Sequence, residues 1–126
     1  MNLLLDTHVL LWWETGFAAL PDEARAIIAD PDNTVFVSTV SLWEIWLKHS
    51  LGKLRLPLNF EDRLSGDFFE ILPLTAGHAR QIAKLPWLHK DPFDRMLVAQ
   101  AEHEQLFLMT ADKQLGAYGD MVLVVG

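Results

Sequence analysis

Four carboxylates stand where surface acids are not expected. Asp6 closes the apolar run Leu3-Leu4-Leu5, and Glu44 is embedded in Leu42-Trp43-Glu44-Ile45-Trp46-Leu47. Asp94 opens the helix-like stretch that runs to Ala101, and Asp112 follows the apolar run Leu106-Phe107-Leu108-Met109. Acids cut off from water repel one another and take up protons unless a cation joins them. A fold that gathers these four calls for a hard divalent metal, and a metal in an acidic pocket points to phosphate chemistry.

Each acid also has a local account. Asp6 suits the N-cap of a following helix, and Asp112 suits the same place ahead of Lys113-Gln114-Leu115. In Asp91-Pro92-Phe93-Asp94, a capping residue, a proline at the first helical position and a first-turn acid assign Asp91 to structure first. Asp94 instead shares a helical face with Leu97, Val98 and Ala101, the face expected to be buried. Glu44 has Lys48 four residues on. An ordinary helical ion pair contributes only about 0.3–0.5 kcal/mol, and such pairs rarely sit between two tryptophans. Lys48 and Arg95 are candidates for phosphate contact or for charge balance of Glu44 and Asp94.

The elements that must position these acids alternate. Buried strands are expected at Asn2–Leu5, Val35–Val37, Glu70–Leu72, Leu106–Met109 and Met121–Val125. Helices are expected over Thr7–Glu14, with Gly16 as a stop, and over Pro21–Ala29, Ser41–Leu51, Asn59–Phe69, Thr75–Leu85 and Pro92–His103. Strands alternating with helices imply a mainly parallel sheet covered on both faces. Such sheets bind ligands at the carboxyl ends of their strands, where strand order reverses. All four acids fall at or just after that edge.

Composition narrows the function further. The chain has 126 residues, 51% hydrophobic and 21% charged, which suits one domain over residues 1–126 with a sizeable core. It has no cysteine, so disulfides, thiolate zinc sites and cysteine nucleophiles are excluded. The first residues lack the cationic flank of a signal peptide and are too short to span a bilayer, so a cytoplasmic location is expected. A net charge of -7 excludes a broad basic surface for nucleic acid, though part of that charge belongs to the acid set itself.

Five tryptophans and five histidines remain. Core packing is expected to account for most of Trp12, Trp13, Trp43, Trp46 and Trp87. Adjacent Trp12 and Trp13 cannot face the same way, so at least one is expected half exposed, against a partner or a second copy. His8, His49, His78, His89 and His103 lack paired ligand spacing, so no zinc site is expected, and His8 and His89 read first as structural. No glycine-rich phosphate loop and no Gly-x-Ser-x-Gly elbow is present. A dehalogenase-type phosphatase would need an acid where His8 stands, and a receiver domain would need paired acids at the first strand.

Taken together, Leu3-Leu4-Leu5-Asp6-Thr7-His8, Ser41-Leu42-Trp43-Glu44-Ile45, His89-Lys90-Asp91-Pro92-Phe93-Asp94-Arg95-Met96-Leu97 and Met109-Thr110-Ala111-Asp112 resemble PIN-domain proteins. They look most like the VapC-type toxins of toxin–antitoxin pairs, in the family's order and over nearly the whole chain. The resemblance implies a three-layer α/β/α sandwich and magnesium-dependent cleavage of RNA, with manganese as a substitute and with 5′-phosphate and 3′-hydroxyl products. It also implies a homodimer held inactive by a small cognate antitoxin. Position by position, the family's catalytic and metal-binding acids fall on Asp6, Glu44, Asp94 and Asp112, while Asp91 is an additional acid. Thr7 and Thr110 are implied to hydrogen-bond a carboxylate, a water or a phosphate. The alternative is a non-catalytic module of the same fold that binds protein or RNA.

Overall fold

Alternate residues of the first strand, β1 (Asn2–Leu5), enter two separate cores. Leu3 and Leu5 join one cluster with Val9, Leu10, Ala24, Ile28 and Phe60, while Leu4 joins another with Leu97, Val98, Ala101 and Leu115. A strand buried on both faces must be apolar at every position, which is why Leu3-Leu4-Leu5 shows no alternation. The computed structural model describes residues 1–16 and 18–126.

After β1 come α1 (Thr7–Thr15), α2 (Asp22–Ala29), β2 (Thr34–Ser38), α3 (Thr39–Ser50), α4 (Phe60–Gly66) and β3 (Glu70–Leu72). They are followed by α5 (Ala76–Gln81), a 3₁₀ turn (Ile82–Lys84), α6 (Pro92–Glu104), β4 (Phe107–Thr110), a second 3₁₀ segment (Lys113–Tyr118) and β5 (Val122–Val124). The five strands are all parallel, in the order β3-β2-β1-β4-β5. Phe60 of α4 and residues of α1 and α2 cover one face, and α6 covers the other. This is the three-layer α/β/α arrangement, with a sheet that is wholly rather than mainly parallel.

The chain leaves β1 towards β2 and β3 and then crosses back to place β4 on the other side of β1. Strand order therefore reverses between β1 and β4, and a crevice opens beyond their carboxyl ends. Asp6 follows β1 directly, and Asp112 lies two residues beyond β4.

Two helices differ from expectation. The fourth stops at Gly66 instead of reaching Phe69: Ser65 and Gly66 are weak helix formers, and Asp67 turns extended with φ -81 and ψ 157. The segment expected as one helix over Thr75–Leu85 is a short α-helix that tightens into a 3₁₀ turn. Leu85 is extended there because Pro86 disfavours helical geometry in the residue before it.

Candidate metal centre

Asp6 is both the cap and the acid that the sequence offered as alternatives. Its Oδ1 accepts the N–H of Val9 at 2.8 Å, capping α1, and its Oδ2 accepts the hydroxyl of Thr110 at 2.5 Å. Only 3% of the residue is exposed. Burial raises its pKa above the usual carboxylate range, against the pull of Thr110, Val9 and His8, and the charge of Glu44 raises it further.

Glu44 comes from the buried face of α3, with 2% exposure. Ser38 caps that helix by accepting the N–H of Val40 and donates its own hydroxyl to Gln100 on α6 at 2.5 Å. One buried serine thus ties the helix that carries Glu44 to the helix that carries Asp94. Glu44 Oε1 accepts the Thr7 hydroxyl at 2.7 Å, and its Oε2 accepts Lys48 Nζ at 2.5 Å. The Lys48 pair therefore forms, but around an acid that is buried. The Glu44 hydrogen bond and then the charges of Glu44, Asp91 and Asp94 raise the Lys48 pKa, against its partial burial.

Asp91 caps α6 by accepting the N–H groups of Phe93 and Asp94 at 2.8 and 3.1 Å, which leaves Asp94 to face the crevice. Leu97, Val98 and Ala101 are buried on the expected face. No hydrogen bond to the Asp94 carboxylate is found among the described residues; His89 Nε2 stands 4.0 Å from its Oδ2. Its pKa is pushed up to about 7, first by burial and then by the charges of Asp91, Asp6 and Glu44, with His89 opposing. Asp6, Glu44 and Asp94 thus lie within one another's fields.

Asp112 completes the rim. Its Oδ1 caps the 3₁₀ segment by accepting the N–H of Gln114, and its Oδ2 lies 2.8 Å from His89 Nε2. Ligand atoms of His89, Asp94 and Asp112 fall within 4.8 Å of one another. His89 thus sits inside the cluster, where sequence spacing read it as structural. Its Nδ1 accepts the Asp91 N–H at 3.1 Å, so the ring proton is on Nε2 and donates to Asp112. Ser41, whose hydroxyl lies 3.1 Å from the Thr7 oxygen and donates to it while Thr7 donates to Glu44, is a further buried member that the sequence did not single out.

Of the four acids, Asp94 and Asp112 are grouped with His89 among the described residues, and Asp6 and Glu44 fall outside that group. A cation served by all four would meet a donor set suited to a hard divalent ion. That set is built of carboxylate oxygens, and three of its acids have each oxygen held by a protein donor. Asp94, the one acid without such donors, is the one whose charge the protein leaves unbalanced.

One expectation fails here. None of the tryptophans is fully buried. Trp12 and Trp13 lie half-buried over the α1 side of the core, and Trp43, Trp46 and Trp87 are exposed. The strands are four or five residues or fewer, and leucine and valine fill the space between sheet and helix, which leaves the indoles on outward faces. Away from the acids, His78, His103 and Glu104 also have potential ligand atoms within 4.8 Å of one another. There, His78 Nδ1 accepts the N–H of Thr75, so Nε2 carries the proton and donates to Glu104 at 2.9 Å. The ring serves as the cap of α5 instead of offering a lone pair.

The family model of the PIN domain matches residues 3–120 of the chain. Solved structures match over nearly the full length. VapBC2 of Rickettsia felis, bound to a DNA fragment from its promoter, is 16% identical with a TM-score of 0.73, covering 99% of this chain and 98% of that one. FitAcB of Neisseria gonorrhoeae is 22% identical with a TM-score of 0.66 and 95% of both chains covered. A toxin–antitoxin complex from Klebsiella pneumoniae is 20% identical with a TM-score of 0.65, covering 96% of this chain and 95% of that one. At these identities the likeness is one of fold. No curated protein matches the chain by sequence.

Proposed function

The chain belongs to the PIN-domain family, and from that premise we propose that it is a magnesium-dependent endoribonuclease, the toxin of a toxin–antitoxin pair. The observation that carries the reading is the Asp94 carboxylate: half-buried, without a hydrogen-bond donor among the described residues, and pressed by the charges of Asp91, Asp6 and Glu44. Asp6, Glu44, Asp94 and Asp112 would hold the cation, magnesium or its substitute manganese. When bound, such a cation acidifies water into a nucleophile and offsets charge on a phosphodiester.

The chain's own residues supply the rest. Thr110 and Thr7 fix Asp6 and Glu44 by donating to one oxygen of each, so both carboxylates are set before substrate arrives. Lys48 holds the second oxygen of Glu44 and brings positive charge to the crevice. His89 orients Asp112 and presents its proton on the side facing Asp94.

A small cognate antitoxin and a second copy of the chain are the partners in this reading, with one domain over residues 1–126 acting in the cytoplasm. The similar folds include a VapBC pair and a toxin–antitoxin complex, which supports the antitoxin. Exposed Trp43, edge-on to Phe93 at 4.9 Å, supports a surface kept for protein contact. Among the described residues, no helix is long and apolar enough to cross a membrane.

The test is incubation of purified protein with single-stranded RNA and magnesium or manganese, followed by a chelator. Cleavage is expected to need the metal and to fall at least about a hundredfold in Asp94→Asn. Changing even an indirect metal partner costs about 10- to 100-fold. Equal cleavage by parent and variant would overturn the carboxylate assignment, and no cleavage by the parent would favour the non-catalytic binding module.

A further inference from the structure

Trp87 is 80% exposed, yet it is not loosely held. Tyr118 clamps the chain on both sides of it: its hydroxyl donates to Pro86 O at 2.9 Å and accepts the N–H of Leu88 at 3.2 Å. The Arg95 guanidinium lies 3.7 Å from the ring centroid. Arg95 is itself buried, and its Nη2 donates to Leu85 O at 3.0 Å. One face of the indole is therefore backed by a fixed cation while the other faces solvent. A singly exposed aromatic residue needs no explanation, but one anchored from the backbone and from beneath is preorganised for a contact outside the chain.

The surroundings say what kind of contact. Trp87 lines a groove of about 800 Å³ with Leu88, His89, Lys90, Gln114 and Ala117. His89 is shared with the acid cluster, where it meets Asp112 at 2.8 Å, so the groove runs out of the candidate metal centre. Lys90 is exposed and makes no ion pair among the described residues, in a chain whose net charge is -7. A flat π-face, a free ammonium group and a reactive centre in sequence match a nucleotide of single-stranded RNA: base on the ring, phosphate at the lysine, scissile bond at the acids.

We propose that Trp87 is a nucleobase-stacking platform and Lys90 its phosphate contact, together forming a subsite for a nucleotide flanking the cleaved bond. This rests on the ribonuclease reading for the placement of the bond, but the stacking itself is measurable without cleavage. The probe is a fluorescein-labelled, single-stranded, random-sequence RNA of about ten nucleotides, titrated against the Asp94→Asn protein so that the RNA is not consumed.

Removing one stacking partner weakens single-strand binding by about tenfold or more. Adding Trp87→Ala is expected to do so, while Trp87→Phe, which keeps a ring over Arg95, stays within about threefold. Lys90→Gln should weaken binding and reduce the salt dependence by about one phosphate contact. Circular dichroism and the Phe variant exclude misfolding as the cause.

Unchanged RNA affinity in Trp87→Ala overturns the proposal. So does a change confined to oligomeric state by light scattering, which would assign the ring to a protein interface. A parent protein that does not cleave RNA while the Trp87 effect persists sinks the nuclease reading and leaves the platform standing. A parent that cleaves while Trp87→Ala binds unchanged does the reverse.

Discussion

The hydroxyl of Thr110 donates to Asp6 Oδ2 at 2.5 Å and accepts the N–H of Asp112 at 3.0 Å. One side chain at the end of β4 thereby sets two acids that are 106 positions apart in the chain. It also opposes the rise in the Asp6 pKa that burial causes.

Thr110→Val keeps the shape and removes both bonds. A buried carboxylate oxygen and a backbone N–H then lose their partners, which costs about 1–3 kcal/mol. We expect an unfolding free energy lower by that amount in urea denaturation, weaker magnesium binding by calorimetry, and recovery of both in Thr110→Ser. A valine variant with unchanged stability and affinity would show that this hydroxyl does not organise the site.

The Asp94 pKa of about 7 gives a pH test in the metal-free protein. Its ordinary value is 3.8, so between about 4 and 7 the native state holds a proton that the unfolded chain has released. Stability from this group therefore falls as pH rises through that window and levels off above it. A cation needs the ionised form, so magnesium affinity should instead climb up to about pH 7 and then flatten. Asp94→Asn should remove the stability decline and the steep part of the binding curve together. Calorimetry in buffers of different ionisation enthalpy checks the linkage: no proton released on binding at pH 6 would contradict it.

What the sequence could and could not disclose follows from range. Asp6 is legible because a polar residue after Leu3-Leu4-Leu5 marks the end of a strand, and strand ends in parallel sheets are where ligands bind. Asp91 and Asp94 separate because Pro92 fixes the helix start and hence which acid faces the core. His89 is not legible in this way, since its role depends on Asp112, 23 residues later, and on a tautomer set by a backbone N–H. The tryptophans were misread because composition says how apolar a residue is but not whether short strands leave room for it beneath a helix. The pair Glu14 and Asp67 was invisible for the same reason as His89: each looks like an ordinary surface acid until α1 and the end of α4 meet.

That pair yields a last expectation, far from the acids of the crevice. Glu14 is 1% exposed, its Oε1 receives no hydrogen bond, and Asp67 Oδ2 is buried in the same condition. Arg63 Nε is the nearby cation, at 4.0 Å. Burial first, then the Asp67 hydrogen bond and charge, push the Glu14 pKa up to about 8 from 4.5, with Arg63 opposing. Below that value Glu14 is a carboxylic acid whose proton bridges to Asp67. Between about pH 4.5 and 8 the native state retains this proton and the unfolded chain does not, so stability should fall as pH rises. Glu14→Gln carries an amide donor to Asp67 at every pH. Urea denaturation from pH 5 to 8.5 should therefore show parent and variant close together at the acid end, with the parent falling progressively behind as the pH is raised. Parallel curves would mean that the two carboxylates do not share a proton and that water or Arg63 compensates them instead.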